Sequence, residues 1–122
     1  MSRYNGSCHC GAVRFVVDAA GVDEMTRCDC SICVRKNALM IKVPEAAITL
    51  TVGEDALATY RWNSRVARHH FCRTCGIYPF HRKRSEPDHY GVNVFCLDGF
   101  DVGALPIRLA DGRSMSLEEP PQ

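Results

Sequence analysis

"SCHCGAVRFVVD", Ser7–Asp18, sets two cysteines two positions apart just before an apolar, β-branched run. Val13–Asp18 reads as a strand, and Cys8–His9–Cys10–Gly11 as the turn that feeds it. Residues two apart in extended chain point to the same side, and a turn brings them closer still. A pair of thiols aimed at one point needs a second pair. "FCRTCG", Phe71–Gly76, supplies it: Cys72 and Cys75 are spaced as CxxC, and Gly76 lets the backbone curl back. Zinc takes four tetrahedral ligands, with sulfur at about 2.3 Å. Cys8, Cys10, Cys72 and Cys75 therefore make a closed structural zinc site that ties the first strands to the late ones.

"CDCSICVRK", Cys28–Lys36, carries three more thiols and no fourth. Cys30–Asn37 reads as a short helix with Asp29 or Ser31 as cap and Arg35 and Lys36 in its last turn. Cys30 and Cys33 then share a helical face. Three protein ligands plus an open position mark a functional zinc, so Cys28, Cys30 and Cys33 are the candidate catalytic set. Three thiolates around one zinc leave an excess negative charge, which Arg27, Arg35 and Lys36 can offset. Cys96 is the rival fourth ligand. It alternates with Val92 and Val94, which favours core packing, where a free cysteine behaves as a small hydrophobe. His89 is a weaker rival and reads as a surface histidine. His69 and His70 lie before Cys72 and can flank the first site.

The remaining chain reads as short strands: Leu39–Val43, Ile48–Val52, Leu57–Trp62, Ala67–Cys72 and Tyr90–Cys96, with Tyr78–Lys83 weakened by Pro79. Asp111–Gly112 reads as a hairpin turn between Ile107–Leu109 and Ser114–Ser116. Tyr60 and Trp62 read as core or edge packing. Arg82–Lys83–Arg84 beside Glu86–Pro87–Asp88 reads as a solvated loop. The expectation is a mainly β, zinc-stabilised antiparallel domain spanning residues 1–122, with a frayed tail from about residue 117.

A net charge of +1 gives no electrostatic reason to expect nucleic acid or an anionic membrane as partner. MSRYNGSCHC lacks the apolar run of a signal peptide, and no stretch matches the ~20 apolar residues of a membrane span. The expected location is the cytoplasm, where thiols stay reduced. Eight cysteines there favour metal over disulfides.

In GSCHCGAVRF (Gly6–Phe15), CDCSICVRK (Cys28–Lys36), FCRTCG (Phe71–Gly76) and VNVFCLD (Val92–Asp98), the chain resembles the glutathione-dependent formaldehyde-activating enzyme family, also called the centromere protein V family. The resemblance implies an Mss4-like β fold. It also implies a structural zinc on Cys8, Cys10, Cys72 and Cys75 and a functional zinc on Cys28, Cys30 and Cys33. The activity it implies joins glutathione to formaldehyde through a carbon–sulfur bond, with glutathione as small-molecule partner.

Three functions remain open on the sequence. The first is a carbon–sulfur lyase or synthase acting on a thiol adduct of a small electrophile. Arg35, Lys36, Arg65 or Arg68 would hold its carboxylates, and His9 or His89 would be the base. The second is a zinc-stabilised interaction module with two closed sites. The third is a redox or zinc-buffering protein using low-pKa thiols.

Overall fold

The computed structural model describes residues 2–61, 68–83 and 88–110. Its strands are β1 (Arg3–Ser7), β2 (Arg14–Asp18), β3 (Met25–Cys28), β4 (Met40–Pro44), β5 (Ile48–Val52), β6 (Leu57–Tyr60), β7 (Arg68–Cys72), β8 (Phe80–Arg82), β9 (His89–Asn93) and β10 (Ile107–Ala110). One α-helix, α1 (Ser31–Lys36), joins β3 to β4. The strands form two sheets, β1-β2-β5 and β10-β3-β4-β9-β8-β7-β6. Described pairings are antiparallel except β10 with β3. This is the mainly β, antiparallel architecture expected, consistent with an Mss4-like fold.

Alternation sends Phe15 and Val17 of β2 inward, and Ile41 and Val43 of β4, Phe80 of β8 and Val92 of β9 meet them in one buried cluster. Phe15 and Phe80 join the two sheets edge to face, with ring centroids 5.3 Å apart. Each such side chain contributes about 1.5–3 kcal/mol on burial. Cys8 and Cys72, from the CxC and CxxC turns, pack with Val13 in a second, smaller buried cluster, where the sheets can be tied together.

Several sequence expectations change. RYNGS in β1 and MTRC in β3 are strands that composition does not announce; both form by pairing, β1 along β2 and β3 beside β10. Ile107–Ala110 forms a strand, β10, and lies parallel to β3; the hairpin turn expected at Asp111–Gly112 and its second arm, Ser114–Ser116, fall outside the described residues. The strand expected over Tyr90–Cys96 stops at Asn93. Asn93 Oδ1 accepts a hydrogen bond from the Phe95 amide at 3.1 Å, and Val94–Cys96 turn into a 3₁₀ segment. β8 starts only at Phe80, after Pro79. Arg61 follows β6 without strand structure, and Trp62, Ala67 and the tail lie outside the described residues. Tyr60, on the edge strand β6, is exposed. Arg82 is not part of a solvated loop: it bonds Glu45 Oε1 at 3.1 Å and the Tyr90 hydroxyl at 3.0 Å; Arg84 is outside the described residues.

Candidate metal centres

The turn between β1 and β2 carries Cys8 and Cys10. Gly11 takes φ +82°, a conformation that disfavours side chains, and the Cys8 amide closes the turn on the Val13 carbonyl at 3.1 Å. The turn after β7 repeats the device. Gly76 sits at φ +80° and donates to the Cys72 carbonyl at 2.7 Å, while the Cys72 amide reaches Ile77 at 2.9 Å. Each sheet thus offers one thiol pair. The four sulfurs lie within 4.8 Å of one another.

The spacing identifies what these thiols can hold. Cys10 Sγ is 3.7 Å from both Cys8 Sγ and Cys72 Sγ. Four sulfurs at 2.3 Å from a tetrahedral ion stand about 3.8 Å apart, whereas a disulfide needs about 2.05 Å. The donor set and its spacing fit zinc. Backbone amides point at these sulfurs: Val13 N lies 3.4 Å from Cys8 Sγ, and Thr74 N and Cys75 N lie 3.4 and 3.5 Å from Cys72 Sγ. The amides of Cys75 and Thr74 hold the Cys72 thiol below its ordinary range. Those of Ile77 and Cys10 bring Cys75 down to about 6.

The second cluster straddles β3 and α1. Cys28 closes β3, Cys30 is the N-cap of α1 and Cys33 lies in its buried face. Their sulfurs also lie within 4.8 Å of one another. The helix is not capped by Asp29 or Ser31: Cys30 holds that position in extended conformation, with no side-chain cap bond. Hydrogen bonds from Cys28 and then Cys33 draw the Cys30 thiol down to about 2, and the same sharing pushes Cys33 up.

Cys28 and Cys33 also line a groove of about 330 Å³ with Arg27, Val34, Asn37 and Leu109. Val34 and Leu109 are well exposed beside it. Cys96 is buried in the hydrophobic core, its Sγ 3.7 Å from the Tyr78 carbonyl, and belongs to neither sulfur cluster. His89 bonds Asp88 at 2.9 Å near the surface, and His9 is exposed beside the four-cysteine cluster.

Four residues around the second cluster were not read from the sequence as a group: Lys36, His69, Tyr78 and His81. Lys36 turns inward from α1. Its Nζ stands 3.7 Å above the centre of the Tyr78 ring and 3.0 Å from His69 Nδ1. Tyr78 in turn packs against the cluster that holds Cys33. His69 stacks on His81 at 5.0 Å, and the Tyr78 hydroxyl meets His81 Nδ1 and the Gly91 carbonyl. Burial, then Lys36, lowers His69 to about 3, so its neutral ring accepts from the ammonium. His69 therefore borders the second cluster's surroundings and not the first. His70 is directed elsewhere, to Thr59 and the rings of Phe80 and Tyr90. The available signal was the cross-strand pairing of His69 with His81, which a single sequence does not reveal.

Among the described residues no helix is long and apolar enough to cross a membrane. The family model described as "Glutathione-dependent formaldehyde-activating enzyme" matches residues 3–107. A crystal structure of a Rhodobacter sphaeroides protein is similar at 41% sequence identity with a TM-score of 0.78, covering 85% of this chain and 99% of that one. With the match spanning both cysteine clusters and the groove's first wall, this chain belongs to the glutathione-dependent formaldehyde-activating enzyme family.

Proposed function

We propose that the chain is a single-domain, zinc-dependent enzyme that makes or breaks a carbon–sulfur bond in an adduct between glutathione, or another thiol, and a small electrophile such as an aldehyde. The observation that carries this reading is the asymmetry of the two clusters. Four thiols close one set, while three form the other and two of them line a groove. Cys8, Cys10, Cys72 and Cys75 would hold a structural zinc, and Cys28, Cys30 and Cys33 a functional one. Zinc with a free position supplies Lewis acidity and lowers the pKa of a thiol that enters it.

The chain's own residues then bind and orient. In the synthetic direction the thiol S–H bond breaks, a sulfur–carbon bond forms at the carbonyl carbon, and the carbonyl oxygen gains a proton. The reverse cleaves the same bond. Arg27, on the groove wall, offers a guanidinium to a substrate carboxylate, although one of its nitrogens already donates to Asn37 Oδ1 at 2.9 Å. Val34 and Leu109 offer apolar contact to the carbon skeleton. Neither His9 nor His89 lines the groove, so neither is retained as general base. Reduced thiols on both enzyme and substrate suit the cytoplasm.

The test is exchange between free and thiol-bound aldehyde, followed by carbon NMR with zinc-loaded protein, glutathione and formaldehyde or a larger aldehyde. Acceleration that disappears in Cys28→Ser supports the reading. An exchange rate equal to that without protein, across the aldehydes tried, removes it and favours the interaction module.

A further inference from the structure

Three cations accompany the three-cysteine cluster in sequence, and the structure separates them. Arg27 Nη1 donates to Asn37 Oδ1 at 2.9 Å. Arg35 is exposed and donates back along its own helix to the Ser31 carbonyl, also at 2.9 Å. Lys36 alone is drawn under cover, between the face of Tyr78 and His69 Nδ1. Both of these partners are uncharged, so the ammonium has a hydrogen bond and a cation–π contact there but, among the described residues, no ion pair with a carboxylate. The anionic groups on this side are the sulfurs: Cys33 lies three residues back on the same helix, and Tyr78, Cys28 and Cys30 all pack against the buried cluster that holds Cys33. Burial brings Lys36 down to about 8, which leaves it protonated at neutral pH.

A partly buried ammonium without a carboxylate is costly unless another anion offsets it. Three thiolates around a divalent ion carry one excess negative charge. That charge discourages a fourth anionic ligand, yet the proposed chemistry needs a thiolate there. A fixed positive charge removes the conflict. It makes the whole centre close to neutral and tolerant of another anion.

We propose that Lys36 is a positioning residue of the three-cysteine centre, whose ammonium, held by Tyr78 and His69, lets the open position take an anionic, thiolate-type ligand in preference to a neutral one. This rests on reading Cys28, Cys30 and Cys33 as an open metal centre. His69 and His81 are part of the mounting: the stacked pair fixes the acceptor, and the Tyr78 hydroxyl anchored on His81 and Gly91 fixes the ring.

The test uses protein loaded with cobalt(II), whose visible spectrum reports ligand exchange at a thiolate site. Azide serves as the anionic probe and imidazole as the neutral one. Lys36→Met should weaken azide binding roughly tenfold, the scale of one charge acting across several ångströms at an effective dielectric near 20. Imidazole binding should change by less than about twofold, so that the azide-to-imidazole ratio falls; Lys36→Arg should restore most of that ratio. Should Lys36→Met fail to fold, Lys36→Gln keeps a neutral hydrogen-bonding side chain and should lose the same preference. An unchanged azide-to-imidazole ratio in whichever variant folds overturns the proposal alone. A spectrum that responds to neither probe in the unaltered protein overturns the open-centre reading and the proposal with it.

Discussion

Cys10 and Cys72 stand 62 positions apart in the chain and 3.7 Å apart at sulfur. The contact joins the β1–β2 turn of one sheet to the end of β7 in the other. A metal shared there closes a long loop, and binding free energy at such a site is folding free energy. Cys75→Ala removes one donor and leaves three charged sulfurs at the sheet junction. The thermal midpoint should fall by more than about 10 °C, a loss of several kcal/mol for a chain of this size. Calorimetry on freshly purified protein checks it. A variant that melts with the parent would sink the structural role.

The three-cysteine cluster should behave differently. Cys28, Cys30 and Cys33 lie within one β3–α1 corner, so losing their ion frees only a short segment. Cys30→Ser is expected to keep the β-sheet circular dichroism of the parent while metal analysis gives about one zinc fewer per chain. Global unfolding of this variant would mean that both ions are structural, as an interaction module requires.

Much of this was legible because cysteine spacing is local. CxC before β2, CxxC before Gly76 and CxCxxC into α1 each announce a converging set of sulfurs, and the positive φ of Gly11 and Gly76 bears out the turns. Ile48–Val52 was legible too, since its β-branched alternation matches β5. What was hidden depends on pairing between distant segments. MTRC has too few apolar residues to declare itself, and becomes β3 only between β4 and β10. Lys36 was read as a helix-end cation, which its position in the last turn allows. Its inward turn needs the Tyr78 ring and His69, supplied by the chain on either side of the Cys72–Cys75 turn.

The stacked histidines carry a pH signature. Burial is the chief cause that lowers His69, to about 3, and His81 well below its usual value. An unfolded chain would protonate both near pH 6.5, so below that pH the unfolded state binds more protons. Stability should therefore fall as the pH drops from about 6.5 toward 3, by roughly 1 kcal/mol per pH unit for His69, with His81 acting in the same direction. Urea unfolding at pH 6.5, 6.0 and 5.5, with zinc in excess, should show this slope. His69→Gln should remove one histidine's share of it. An identical slope in that variant would contradict the burial account.

The central claim is an open position on the three-cysteine centre, with Cys96 left in the core. Zinc X-ray absorption tests it most directly. Seven cysteines over two ions give about 3.5 sulfurs per zinc on average, the remainder being a lighter atom. Added glutathione should raise the shell to about four sulfurs and remove the lighter atom. Cys96→Ala should give the same two spectra, because Cys96 Sγ is directed at the Tyr78 carbonyl and lies in the hydrophobic core. A shell of four sulfurs before glutathione is added, with one lost in Cys96→Ala, would show the site closed and contradict the enzyme.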